Sequence, residues 1–434
     1  MILGLPKILG LLPLIFYIIV SFKGKDMLWV VLLSVLLGGI LTGQTPIDFG
    51  NAIAQGLGSF LGLIGFVILL GAGLGELLTQ TGVAQNLVHF VMTKTGVKSK
   101  KQVIIASMTS STLVVALLGS MAGGNAILAP IIIPIVASFG ITPNALGVLL
   151  HGAGAAGLFI GPFAPPVVTT MALAELSYGK YMLYAGVPLA IIVLVTTYFV
   201  ALKTQAKYEG IESYAKEDIV NENDFVENGK SKKATITFLI VMLISMIYGI
   251  INKAGASYVI VVITLTALIV GYVAGFKPED SLKAIIKGSS KMYWIFILFV
   301  LYDPFLNFVT KSGAFDAIAE LIKPLINSGG PGIFMIVSTL IGIFGVSGAA
   351  VAQEKVMHTM FLPILQQFNF PMALWAIVLL VGSQITSFAY PTGDMVGQMG
   401  LARSKDLKSL VKNGLAITVV SLLYVAAFAF FYKF

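Results

Sequence analysis

The chain has 434 residues, 57% of them hydrophobic and only 11% charged. Soluble globular domains carry roughly 25% charged residues, so an ordinary soluble enzyme is excluded, and a mean hydropathy of +0.96 points to a polytopic membrane protein. Cysteine is absent, which removes disulfides, thiolate metal sites and thiol nucleophiles, and three histidines far apart in the chain make a poor zinc set.

In chain order, Ile2–Phe22 is apolar and is followed by Lys23 and Lys25. Most of the charge follows the run, and no small-residue cleavage site appears, so it reads as a retained span and not a signal peptide. Runs long enough to cross recur near 27–43, 57–80, 145–175, 181–202, 235–252, 257–275, 292–311, 372–398 and 413–432. Two stretches, Lys101–Phe139 and Gly332–Phe370, each hold two apolar arms around a small, polar middle. Those middles are Gly119-Ser-Met-Ala-Gly-Gly-Asn125 and Gly345-Val-Ser-Gly-Ala-Ala-Val-Ala-Gln353. Each stretch is either a pair of full spans or a re-entrant hairpin, and a hairpin tip at membrane depth requires protein or a watery cavity around it. The expected fold is therefore all-α: about ten transmembrane helices plus the two hairpin stretches.

Sorted on this topology, 20 of the 27 Lys and Arg fall on one side, six on the other, and Lys355 lies inside the second hairpin stretch. This positive-inside bias makes residues 203–234 cytoplasmic and places both termini outside a cytoplasmic membrane. It also accounts for the net charge of +8 without nucleic acid. The 204–234 segment is the one long polar stretch and reads as a solvated linker.

The halves on either side of it, 1–203 and 235–434, resemble each other. Pro46, Asp48, Ala52, Ile53 and Gly56 recur as Pro278, Asp280, Ala284, Ile285 and Gly288. Thr79-Gln-Thr-Gly82 matches Thr310-Lys-Ser-Gly313, Pro143 matches Pro371, and Gly186 matches Gly414. Each half holds an odd number of crossings on either reading of the hairpins, so the second inserts inverted, an arrangement of secondary transporters.

The span after each hairpin is interrupted at corresponding places: by Pro162, Pro165 and Pro166 in the first half, and by Pro391 and Gly393 in the second. Paired breaks of this kind point to a solute site. Half-helix N-termini suit a carboxylate, and unwound carbonyls suit Na+. The expected lining is Ser120, Asn125, Thr169, Thr170, Ser347, Gln353, Thr386, Ser387 and Thr392, whose hydroxyls and amides bind anions or cations. The same small polar residues also serve plain helix packing. Asp394, at the second break, is the foremost candidate for a coupling-ion ligand or proton carrier, with Glu76 and Asp303 in corresponding third spans as further candidates. Glu354, Lys355 and His358 follow the second tip, where Lys355 has two open roles: a pair with Glu354 or contact with an anionic solute. His151 lies in an apolar, glycine-rich helix, where a lone histidine is more often structural.

The hairpins, the Gly119-Ser120…Asn125…Pro130…Pro134 stretch and the broken Gly161–Thr170 and Ser387–Asp394 segments resemble the ion transporter superfamily. That group includes C-type sodium–proton antiporters, gluconate permeases, C4-dicarboxylate carriers and divalent-anion/sodium symporters. The resemblance implies scaffold helices supporting a transport domain that carries both hairpins, elevator-type alternating access, and a homodimer. No Ser-Asn-Thr triplet stands at either tip, and Pro165-Pro166 occupy the first break. The expected function is a secondary active transporter of a small organic anion, a carboxylate or amino acid, coupled to Na+ or H+. The alternative is a Na+/H+ antiporter without organic substrate. No Walker-type loop, serine-hydrolase elbow or zincin motif occurs, so neither an enzyme nor a cofactor is expected.

Overall fold

The computed structural model describes residues 7–23, 25–94, 98–215, 229–252, 254–344 and 350–433. Among them there is helix and no strand, as the bilayer demands when each segment must satisfy its own backbone. The first half runs through α1 (Leu12–Phe22), α2 (Met27–Thr42), α3 (Pro46–Leu57), α4 (Phe60–Gln80) and α5 (Val83–Lys94). It continues with α6 (Lys100–Leu118), α7 (Met121–Ser138), α8 (Pro143–Ile160), α9 (Pro165–Leu173) and α10 (Tyr178–Tyr208). The second half holds α11 (Gly229–Ile251), α12 (Ala256–Ala274), α13 (Pro278–Ser290), α14 (Tyr293–Lys311) and α15 (Ala314–Ile343), the last kinked at Gly330. It ends with α16 (Ala350–Gln367), α17 (Met372–Gln384), the short α18 (Thr386–Ala389), α19 (Gly393–Leu401) and α20 (Leu407–Phe431). Nine helices among the described residues are long and apolar enough to cross a membrane, α6 and α7 among them.

Local chemistry sets the boundaries. Thr45 and Asp48 form a capping box at the start of α3, and Ser59, Ser99, Ser120 and Thr142 cap α4, α6, α7 and α8. Each cap supplies an acceptor to an otherwise orphan amide. The first hairpin turns in two residues. Gly119 takes a left-handed φ of 64°, which costs glycine nothing. With 19 and 18 residues, α6 and α7 are each roughly 28 Å long at about 1.5 Å per residue, close to the roughly 30 Å of a hydrocarbon core. The second tip, residues 345–349, lies outside the described residues.

Two helix groups result. In the first, α14 packs on α2, α3 and α4, while α4 packs on α12, α13 and α14. In the second, α8 lies between α6 and α10, and α17 packs on α15 and α16. The pairings are reciprocal between halves: α3 meets α14 as α13 meets α4, and α9 meets α16 as α19 meets α7. Burial separates centre from rim. The apolar window of α8 is 89% buried, that of α11 only 22%, with Ile240, Leu243, Ile244 and Ile247 turned outward as a lipid-facing surface requires.

Helix borders both ends of the polar stretch. Helix α10 runs on to Tyr208 and α11 already starts at Gly229. Residues 209–213 and 215 are exposed, yet the segment is tied to helix ends. Glu212 accepts from Asn144 at 2.6 Å, Tyr214 donates to the Ala402 carbonyl at 2.9 Å, and Glu209 pairs with Lys100. Residues 216–228 lie outside the described residues.

Candidate functional site

The breaks fall where proline and glycine place them. Helix α8 stops at Gly161 and α9 restarts at Pro165, capped by Ala164 without a side-chain bond. Helix α17 ends at Gln384, and α19 starts after Thr392, whose hydroxyl accepts from the Met395 amide at 3.4 Å. The first tip lies against the first break: a β-carbon on Gly119 would stand 3.4 Å from the Ala164 Cα and 3.6 Å from the Pro165 Cδ.

Beside the first tip and the two breaks is a cavity of about 240 Å³. Four helix N-termini border it: α7 through Ser120, Met121 and Ala122, α9 through Pro165 and Pro166, α16 through Ala350 and Val351, and α19 through Asp394. The starts of α7 and α19 carry free amides and partial positive charge, roughly half an elementary charge, whereas Pro165 and Pro166 leave α9 its dipole but no amide hydrogen at its first two positions. Ser387, Gln384 and His151 add polar groups, and Leu117, Phe163, Phe299 and Phe388 supply apolar wall. Ser387 donates to the Asp394 carboxylate at 2.8 Å. His151 is wholly buried, its ring 4.5 Å from that of Phe388, and neither ring nitrogen has a hydrogen-bond partner among the described residues.

A second cavity of about 1060 Å³ shares Gly71, Ala72, Leu118, Ser120, Ala122 and Met292 with the first. It leads past Pro130 and Ala126 to Glu76 and Lys291. Glu76 is held there in ion pairs with Lys287 and Lys291, each at 2.7 Å.

Of the expected residues, Ser120, Ser387 and Asp394 thus share the central cavity. Asn125 is buried behind it. It accepts from Ser111 at 2.7 Å and donates to the Leu150 carbonyl and to Gln398, both at 2.8 Å. Thr170 donates to Glu354 at 2.7 Å, whereas the buried hydroxyl of Thr169 has no partner among the described residues. Gln353 donates to the carbonyls of Gly342 and Gly382, and the Thr386 hydroxyl donates to the latter at 3.4 Å. Thr392 serves as the cap already described, and Ser347 lies outside the described residues. Glu76 lines the larger cavity, and Asp303 accepts from Asn307 at 3.0 Å, so neither borders the central one. Glu354 does not pair with Lys355 among the described residues. Its carboxyl group accepts from Thr170, Ser383 and Gln384, and His358 accepts from Trp375 at 3.1 Å. Gln384 and Gln398 were not among the expected residues. The only signal for either was position, at the break for Gln384 and one turn past it for Gln398.

A membrane-embedded cavity closed by helix breaks and ringed by helix N-termini defines a transporter for a small solute. The chain belongs to the DcuC family, described as the C4-dicarboxylate anaerobic carrier, whose model matches residues 38–433. Its fold is similar to that of the YdaH transporter of Alcanivorax borkumensis (15% identity, 90% of each chain, TM-score 0.59). It is also similar to that of MtrF of Neisseria gonorrhoeae, described as one of a class of antimetabolite efflux pumps (13% identity, 89% of this chain and 84% of that one, TM-score 0.55). No curated protein matches the sequence.

Proposed function

We propose that the protein is a secondary active carrier that moves a C4-dicarboxylate across the cytoplasmic membrane, coupled to Na+ or H+. The observation that carries this reading is the convergence of four helix N-termini on one cavity. At about 240 Å³ it is below the roughly 300–1,000 Å³ typical of drug-sized pockets, which suits a small solute. A dianion meets partial positive charge and the donors of Ser120 and His151, with the Gln384 amide joining them once it leaves Glu354. Asp394 in the same cavity carries like charge, and in a low dielectric that repulsion is strong. A cation accompanying the solute relieves it, so Asp394 is the coupling group in this reading, while Glu76 lines the larger cavity.

The reciprocal helix pairings support two inverted units, 1–203 and 235–434, and the separation into two helix groups supports an elevator-type motion of the hairpin group against the scaffold. The lysine bias supports a cytoplasmic 203–234 loop with both termini outside. The larger cavity, with Lys291 at its lining, is then the cytoplasmic approach. A homodimer completes the scaffold in this reading.

The test is uptake of radiolabelled succinate by proteoliposomes under an imposed Na+ or pH gradient. Saturable uptake that falls when both gradients are collapsed is expected. Uptake indifferent to both gradients rejects coupling. Proton movement on Na+ addition without any organic solute supports instead a Na+/H+ antiporter.

A further inference from the structure

We propose that Glu354 is a second coupling site, a proton-binding carboxyl group placed behind the solute cavity, an inference that rests on the carrier reading above. Glu354 is completely buried. Its three partners, the Thr170 hydroxyl at 2.7 Å, the Ser383 hydroxyl at 3.0 Å and the Gln384 amide at 3.1 Å, are all neutral. No Lys, Arg or His pairs with it among the described residues. A buried carboxylate without a cation is costly in hydrocarbon surroundings, whereas the protonated acid keeps the Ser383 and Gln384 bonds and gives its O–H to the Thr170 hydroxyl, which turns from donor to acceptor. The contacts are direct, so no gap separates the carboxyl oxygens from their partners for a metal cation to fill. A proton is the ion that fits.

The pseudo-symmetric position sharpens the point. Asn125 is the fifth residue of α7 and Glu354 the fifth of α16. Asn125 bonds Gln398, sixth in α19, as Glu354 bonds Thr170, sixth in α9. The half that carries the amide makes the same cross-half bond without an ionisable group. The bond alone therefore does not call for an acid at 354, and the acid adds a proton site.

Gln384 touches Glu354 on one side and lines the cavity on the other. A solute that draws the Gln384 amide away exposes the carboxyl group to cavity water. The O–H bond of the acid then breaks, a water takes the proton, and a carboxylate remains until a proton returns from the opposite side. Few other ionisable groups surround it. Helices α9 and α17 contain no Asp, Glu, Lys, Arg or His, and neither does the 329–343 arm of α15. Tyr181 of α10 donates to the Phe159 carbonyl at 2.8 Å. On α16 itself, Lys355 does not pair with Glu354 among the described residues, and His358 bonds Trp375.

The experiment compares wild type and Glu354→Gln in proteoliposomes. It measures succinate/succinate exchange at equal pH, net succinate uptake driven by a pH gradient, and proton movement with a trapped dye. In the variant, exchange should stay within about twofold of wild type, while gradient-driven uptake and proton movement fall about tenfold or more. Glu354→Asp should keep part of both. A glutamine variant that retains gradient-driven uptake overturns the proposal. So does a well-folded variant that has lost exchange as well, because Glu354 then serves the solute path. Wild-type protein that exchanges no succinate overturns the dicarboxylate reading itself. Should the glutamine variant not fold, infrared spectra of wild type labelled with carbon-13 glutamate decide. A protonated glutamic acid at neutral pH that titrates on succinate addition is required, and its absence overturns the proposal.

Discussion

Thr170 donates its hydroxyl hydrogen to Glu354 across 2.7 Å, and this one bond ties the half-helix after the first break to the helix after the second tip. Its counterpart runs from Asn125 to Gln398 at 2.8 Å. Each half of the chain thus grips the broken span of the other.

Asp394 takes a bond from Ser387 and borders that cavity. Asp394→Asn keeps shape and hydrogen bonding while removing the charge. It should reduce ion-driven succinate uptake about a hundredfold, leaving expression and the size-exclusion profile near wild type. Uptake at the wild-type rate across pH and Na+ concentration would show that Asp394 is not the coupling group.

His151 presents two unpartnered ring nitrogens at the cavity. A buried polar group without a partner costs about 1–3 kcal/mol, so replacing it with an apolar residue relieves strain on the fold. His151→Leu should raise the melting temperature and weaken succinate binding about tenfold. The two readouts are a thermal-shift scan and its succinate dependence, and opposite signs for stability and affinity are expected.

Asn125 satisfies three groups at once. Asn125→Leu strands Gln398 and Ser111 in a dry interior and should destabilise the protein by about 1–3 kcal/mol, read as a lower melting temperature with reduced yield of folded protein.

Gly157 is fixed by a close approach. A β-carbon there would meet the Thr112 carbonyl oxygen at 2.5 Å and the Ala116 nitrogen at 3.0 Å. Gly157→Val should force α8 away from α6 and lose most of the folded protein, whereas substitution at Gly397, where a β-carbon meets nothing within 4 Å, should be tolerated.

The docked segment after α10 carries a pH dependence. At Asp406, outside the spans, burial pushes the carboxyl group's pKa up, but bonds from Ser409 and Tyr208 outweigh it and hold it below the usual carboxylate value. Its folded-state pKa is therefore depressed, so its contribution is present above the unfolded value of about 3.9 and is lost as pH falls through the folded one. Hydrogen exchange across 205–215 and 402–409 should be slow at neutral pH and rise steeply only below that range. Asp406→Asn should show the faster exchange already at neutral pH.

Much of this was legible in the sequence for local reasons. Pro162, Pro165, Pro166 and Pro391 state a backbone constraint wherever they stand, so the breaks could be placed from them alone. Gly119 announces a turn in the same way. The partners of buried polar groups were not legible, because Asn125 and Gln398 are 273 positions apart and only tertiary packing joins them. The Glu354–Lys355 neighbours illustrate the same limit. Consecutive helical residues point about 100° apart and do not face each other, so Glu354 turns into the clasp with Thr170 and Lys355 does not pair with it among the described residues. The docking of residues 209–215 depends on Asn144 and Ala402 from other segments, and polar composition alone reads as solvated chain.

The most direct measurement is a cryo-electron-microscopy map of the protein in a lipid nanodisc with saturating succinate, compared with one without. The account predicts added density between Ser120, Gln384 and Asp394, its carboxylates at the starts of α7, α9, α16 and α19. Density confined to the approach beside Glu76 and Lys291, or an unchanged central cavity, would contradict it.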